Sequence, residues 1–351
     1  MTRRSLAIVI SVPLMVGLWI AAALVPVPYV TLQPGVTVDV LSEVGGQERI
    51  QVNGARAYYE DDQSQIRMTT VSVTRPRDKV SIFAALKAWV DDAESVEPYG
   101  AVYDDEQTPE QSDVESEVSM LTSQDTAIAV ALRELDYELT PTVEVYQVTE
   151  DAPADGVFKV RDRILSVDGE QVTQPQQIVD AVKAVDAGTE LEFVVLRGGE
   201  RKRLTVAPEK QDGRTLIGIW PGSGFVFPVD VTINISPDIG GPSAGLMFSL
   251  AIYDTLTPGS LTGGRPVAGT GTIDIEGRVG GIGGIQQKVV GARDSGAQLF
   301  LVPAANCEDA LAAPNGDMRL ARVETMKQAR KAIEDFAADP DASLPSCADG
   351  A

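Results

Sequence analysis

Gly240-Gly241-Pro242-Ser243-Ala244-Gly245 runs directly into the apolar stretch Leu246 to Tyr253. Glycines and a proline ahead of such a run predict a turn entering a helix, with Ser243 at the helix mouth. The first amides of a helix have no partner inside it, and they lie at the positive end of its dipole. Donors placed this way can stabilise an oxyanion. Pro242 has no N–H, so such a hole must use Ser243 itself and an amide further back, Gly240 or Gly241. The other reading of Ser243 is a plain helix-capping serine.

A second glycine-rich turn, Gly280-Gly281-Ile282-Gly283-Gly284, opens a helix that carries Lys288 among Ile285, Val289 and Val290. An amine in apolar surroundings loses hydration, and its pKa falls. To work as a base near neutrality it must fall from ~10.4 by roughly three units, about 4 kcal/mol. The neutral amine can then take the proton of Ser243 as that oxygen attacks a carbonyl. The other reading of Lys288 is an exposed lysine on an amphipathic helix, the commoner fate of this residue.

Composition narrows the choice. The chain has 351 residues, 44% of them hydrophobic, enough for two or three domains, and it contains no histidine. A Ser-His-Asp triad, a Cys-His dyad and a His-ligated zinc site are therefore excluded. Proton transfer near neutrality falls to a raised carboxylate, a lowered lysine or a cysteine. The net charge of -22 excludes a basic footprint for nucleic acid and argues against binding to anionic lipid; solubility accounts for it. Cys307 and Cys347 form no C-x-x-C pair, so no zinc ribbon or thioredoxin-type site is expected. They form a disulfide if this part of the chain lies outside the cytoplasm, worth roughly 3–4 kcal/mol in a loop of this size, or else remain free thiols. No metal and no cofactor are expected.

At the N-terminus, Thr2-Arg3-Arg4 precedes an apolar run from Leu6 to Val25, broken mainly by Ser11, Pro13 and Gly17. About 20 apolar residues can cross ~30 Å of hydrocarbon, and the arginines would stay on the cytoplasmic side. The expectation is a single-pass cell-membrane protein with most of the chain extracytoplasmic. A signal peptide cleaved near Ala21-Ala22-Ala23 is the competing reading, although such cores usually run ~7–15 residues.

The pattern along the chain predicts a mixed α/β protein: a transmembrane signal-anchor (1–28), an N-terminal α+β region (29–120), a compact β-rich module (121–209), an α/β domain (210–338) and a tail (339–351). Strands are expected at Val36 to Leu41 and Ile66 to Thr74, and a helix at Val80 to Val90. The acidic stretch Asp104 to Glu117 reads as an exposed connection, and a helix capped by Ser123 runs to about Leu135.

Within the module, Ala152-Pro153-Ala154-Asp155-Gly156, Asp162-Arg163-Ile164 and Val167-Asp168-Gly169 stand in an order that resembles a PDZ domain of the bacterial protease-associated kind. Arg161 departs from that pattern, which usually carries glycine. The resemblance implies extended peptides bound by strand addition, with a carboxylate-binding loop near Glu134 to Leu139. Glu134, Asp136 and Glu138 would make that loop acidic, which implies internal or unusual peptides; a spacer role is the other reading.

Gly241-Pro242-Ser243-Ala244-Gly245 resembles the nucleophile motif of the Lon proteolytic domain. Thr270-Gly271, Gly277-Arg278-Val279, Ile282-Gly283-Gly284-Ile285 and Lys288 resemble the segment carrying that family's lysine, and the separation of 45 residues is close to the family's. With anchor and module, the chain is similar to bacterial PDZ-containing Lon-like membrane proteases. The resemblance implies a Ser–Lys dyad of Ser243 and Lys288, Thr270 bonding the lysine, and ring-forming homo-oligomers such as hexamers. Gly240 and Thr272 stand where the family usually has acids. No G-x-x-x-x-G-K-[ST] occurs, which implies ATP-independent cleavage of unfolded or membrane-proximal proteins. The alternative is a tethered peptide-binding scaffold with an inactive protease domain.

Overall fold

One of two six-stranded sheets draws its strands from distant parts of the chain. The computed structural model describes residues 3–59, 64–78, 80–104, 107–211 and 213–350, with side chains in the first helix described for residues 9–20, 22 and 23. Across the sheet the order is Arg319–Val323, Leu299–Pro303, Pro266–Gly269, Gln65–Val73, Tyr29–Asp39 and Ser95–Pro98. The first four strands are parallel, and Tyr29–Asp39 runs against both its neighbours. The helices are α1 (Arg3–Leu24), α2 (Ile82–Val90), α3 (Tyr99–Val102), α4 (Pro109–Glu134), α5 (Pro175–Ala184), α6 (Gly245–Leu256), α7 (Ile285–Asp294), α8 (Cys307–Leu311) and α9 (Met326–Ala338).

Leu299–Pro303 is buried at every position, as a parallel strand covered on both faces must be. The pleat sends alternate side chains to opposite sides. Leu299 and Leu301 join Val267, Ala321 and Val323 in a core with α4, α6 and α9, whereas Phe300, Val302 and Ala268 pack on α7 and α8.

Ile66 and Met68 alternate with Arg67 and Thr69 and are fully buried in the first of these cores. The stretch expected as a separate N-terminal region, 29–120, therefore supplies three of the six strands of the sheet in the C-terminal α/β unit, and puts Val40, Ile50 and Met120 into its core. A second sheet, in the order Glu200–Val206, Leu191–Arg197, Arg163–Val167, Thr140–Val148 and Ile219–Val226, has its own core of Val143, Ile164, Phe193, Ile178 and Ile217. This module is inserted between α4 and the strand Asp230–Ile233. Its sheet also takes in Ile219–Val226, which lies beyond the expected boundary at 209 and pairs with Thr140–Val148.

The transmembrane signal-anchor is not supported: among the described residues, no helix is long and apolar enough to cross a membrane. α1 forms where expected, but it starts on two arginines and contains Pro13. The single-pass cell-membrane location falls with it. The acidic connection is also corrected. A capping box of Thr108 and Gln111, with Pro109 in the first turn, starts α4 well before Ser123, which lies inside the helix.

Met68→Ala, far in sequence from the α/β domain first delimited at 210–338, is expected to cost about 2–5 kcal/mol by removing buried volume from the shared core. A urea midpoint for unfolding of that unit checks it; an unchanged midpoint would mean that the two chain segments fold apart.

Candidate active site

Ser243 ends the loop after Asp230–Ile233, one residue before Ala244 caps α6. α6 is buried without a break from Gly245 to Ile252, so its first turn cannot shift without disturbing the core. The approach to the serine is tight. Gly241 has φ +85°, a conformation that favours glycine. A side chain at Gly240 would bring its Cβ within 2.7 Å of Ser116 Cβ on α4. Contact with α4 thus explains glycine where the related pattern carries an acid. The Gly241 N–H donates to the Ser116 carbonyl at 2.9 Å, and Ser123 Oγ donates to the Pro242 carbonyl at 3.0 Å. Gly241 is therefore committed to α4, whereas the N–H groups of Ser243 and Gly240 have no protein acceptor among the described residues.

Between the two glycine-rich turns the chain is extended at Pro266–Gly269 and again at Thr272–Ile273, with a break between them. At the break Gly271 has φ +153°, and an added Cβ would stand 2.6 Å from Val279. The bend brings the Gly271 N–H to the Ser243 carbonyl at 2.8 Å and the Gly271 carbonyl to the Leu246 N–H at 3.1 Å. Thr270 Oγ1 also donates to the Ser243 carbonyl, at 3.0 Å. Backbone and side chain together pin the residue bearing the hydroxyl.

Lys288 enters from α7. Its Nζ donates to Ser243 Oγ at 2.6 Å and to Thr270 Oγ1 at 3.1 Å. The side chain is 2% exposed, and burial alone pushes its pKa down from 10.5 to about 7. Since Thr270 spends its hydrogen on the Ser243 carbonyl, its lone pairs are left to receive the amine. Ser243, Lys288 and Thr270 are thus brought together, with Gly240 and Gly241 at the rim.

Cys307 and Cys347 are joined by a disulfide, away from the serine and the lysine. It ties the buried Cys347 to the start of α8. The neighbouring Asn306 binds both main-chain polar groups of Ile282: the Ile282 N–H donates to Oδ1 and Nδ2 donates to the Ile282 carbonyl, each at 2.9 Å. This clamp holds the glycine-rich turn from which α7 starts. Asn306 and Ser123 escaped the sequence reading. The only trace of the first was an amide between an apolar strand and a short helix, and the second was assigned to the wrong position in its helix.

In the inserted module, Glu134 to Leu139 proves to be the C-terminal end of α4, where carbonyls and not amides are unpaired. That end suits no peptide carboxylate. Leu216-Ile217-Gly218-Ile219 leads instead into the edge strand Ile219–Val226, which pairs on one side with Thr140–Val148 and touches α5. Gly218 makes this turn with φ +83° against Ala152. Among the described residues no group of three or more His, Cys, Asp or Glu is arranged to hold a metal.

Comparison with known proteins assigns these parts. Residues 116–207 match the family described as PDZ domain, and residues 235–334 match the Lon protease (S16) C-terminal proteolytic domain. Lon protease 2 of Herpetosiphon aurantiacus is 37% identical over 95 residues, which is 26% of this chain and 11% of that protein. Lon protease of Citrifermentans bemidjiense is 41% identical over 69 residues, 20% of this chain and 8% of that protein. The chain spans about a tenth of the length of the curated relatives it matches. Among solved structures, the PDZ domain of the SdrC-like protein from Listeria monocytogenes is 23% identical, with TM-score 0.22, over 23% of this chain and 86% of that one. The chain carries a PDZ domain and a Lon-type C-terminal proteolytic domain.

A buried amine held near pH 7 costs stability. Between about pH 7 and pH 10 the unfolded chain keeps a proton that the folded one has lost, so stability rises with pH across that window. Lys288→Met should therefore raise the thermal midpoint most at or below neutral pH, by the equivalent of about 1–4 kcal/mol, with the gain fading towards pH 10. A variant less stable than its parent at pH 6 would refute this cost.

Proposed function

We propose that this chain is a serine endopeptidase with Ser243 as nucleophile and Lys288 as general base. The observation that carries this reading is the 2.6 Å approach of a buried amine, depressed to about pKa 7, to the hydroxyl of Ser243. The match of residues 235–334 to a proteolytic domain supports it.

Neutral Lys288 accepts the Ser243 proton as Oγ bonds to the scissile carbonyl carbon. The displaced electron pair moves onto the carbonyl oxygen, which faces the Ser243 N–H and the positive end of α6. The ammonium then returns the proton to the departing amine nitrogen as the C–N bond breaks. Water attacks the acyl-serine by the same route, with Lys288 taking its proton and handing one back to Ser243. Thr270 keeps the amine aimed at Oγ in each half.

Peptide recognition belongs, in this reading, to the edge strand Ile219–Val226, along which an extended segment adds as a further strand beside α5. Such capture favours unfolded or flexible substrates. With no phosphate-cradling motif in the sequence, cleavage by this chain needs no ATP.

Ser243→Ala and Lys288→Ala should each lower cleavage of casein by about a thousandfold or more. In the parent, kcat/KM should rise as pH passes about 7, following loss of the Lys288 proton, and added ATP should leave the rate unchanged. Equal activity of both variants and the parent would end the dyad assignment.

A further inference from the structure

Arg161 has φ +73°, a left-handed conformation that bulky residues seldom adopt. The related pattern carries glycine there, so the arginine must be held by something that outweighs the strain. Its guanidinium reaches out of the inserted module to α4. Nη1 pairs with Asp125, Nη2 donates to Gln124 Oε1 at 3.1 Å, and Nη1 also meets Glu144 Oε1 at 3.0 Å. Arg163 takes the other oxygen of Glu144 at 3.2 Å. Asp125 and Glu144 are fully buried. Burial and the nearby Asp125 push the Glu144 carboxyl up to about 7, against the pull of the two arginines.

The residue before Gln124 holds the nucleophile turn. Ser123 Oγ donates to the Pro242 carbonyl, and about two turns earlier on the same helix the Ser116 carbonyl accepts the Gly241 N–H. The packing there is close: a Cβ on Gly245 would lie 2.9 Å from Ser123 Oγ. Three consecutive residues of α4, Ser123, Gln124 and Asp125, therefore grip the catalytic loop with one side chain and the module with the next two.

We infer that Arg161 is a positioning residue for Ser243: it clamps the inserted module to α4, and α4 passes that restraint to the Gly240–Ser243 turn. Glu144 extends the clamp towards the docking edge, since its register partner is Gly222 of the edge strand Ile219–Val226. A peptide adding to that edge lies one strand away from the clamp. This inference rests on the dyad reading above. The rival view, that Arg161 only neutralises two buried carboxylates, makes a different prediction.

The full chain is assayed on a fluorogenic peptide too short to span both sites. The variants are Ser123→Ala, Arg161→Gly, their combination, and the charge-balanced Arg161→Gly/Asp125→Asn, in which Glu144 keeps Arg163. Each should lower kcat about 5- to 10-fold with KM within about twofold, and adding Ser123→Ala to Arg161→Gly should cost less than about twofold more, as expected of residues acting through one contact. A charge-balanced variant with the parent's kcat would reduce Arg161 to charge neutralisation and overturn the clamp, as would losses that multiply. Should Arg161→Gly fail to fold, Ser123→Ala and the charge-balanced variant carry the same decision. Ser243→Ala separates the two ideas: activity retained there sinks the dyad, whereas an inactive Ser243→Ala beside an unimpaired charge-balanced variant sinks only the clamp.

Discussion

The whole arrangement depends on an amine buried beside two hydroxyls and paired with no carboxylate among the described residues. A carboxylate within ~4–6 Å would hold the ammonium charged and cancel the effect of burial. Desolvation is the sole cause acting on Lys288, and it brings the pKa to about 7. Gly240 and Thr272, where the related pattern carries acids, fit this requirement. At the first position contact with Ser116 leaves no room for a side chain, and the second is a hydroxyl whose Oγ1 lies against Gly280. A lysine free of acids keeps its lowered pKa from burial alone, and burial is set by packing.

That packing comes from distant parts of the chain. Lys288 lies on a helix that packs on the strands Tyr29–Asp39 and Gln65–Val73, while Ser243 precedes a helix in the core on the other face. Their side chains meet because the strand Pro266–Gly269 stops and the chain bends at Gly271, letting Thr270 touch both residues. Asn306 fixes the far end by replacing a strand partner for Ile282. An amide that satisfies both main-chain groups of one residue substitutes for sheet pairing where a glycine-rich turn has none.

The approach of Lys288 to Ser243, on which the proposed dyad rests, was legible in the sequence because that chemistry would need particular residue types at fixed places: a glycine-rich turn before a helix, and a lysine among apolar neighbours. Everything that depends on remote pairing was less legible. Ile66 and Met68 alternate as a strand should, but alternation does not name a partner, so the N-terminal strands looked like a separate region. The acids between Asp104 and Glu117 suggested a solvated connection, yet Thr108, Pro109 and Gln111 begin a helix there, on which Glu110, Asp113, Glu115 and Glu117 are exposed. The edge strand Ile219–Val226, with Pro221 and two glycines inside it, has the composition of a loop. It is a strand because Tyr146, Glu144 and their neighbours offer it a paired edge.

The position of the insertion gives the module more influence than a tethered domain would have. Its first connection is α4, which touches the nucleophile turn, and its last runs from Val226 to Asp230 with Phe227 packed on the α/β core and Val229 buried in it. Neither connection is a flexible linker, so the module cannot reorient without moving a residue that contacts the catalytic loop. The boundary is also built from buried charge, where apolar packing of similar volume would often hold at least as firmly. Charges demand one geometry, since a guanidinium fork shifted by an ångström loses its carboxylates while leucines would slide. A boundary of this kind contributes little net stability but fixes the module's orientation, and orientation is what a loop carrying a nucleophile can sense.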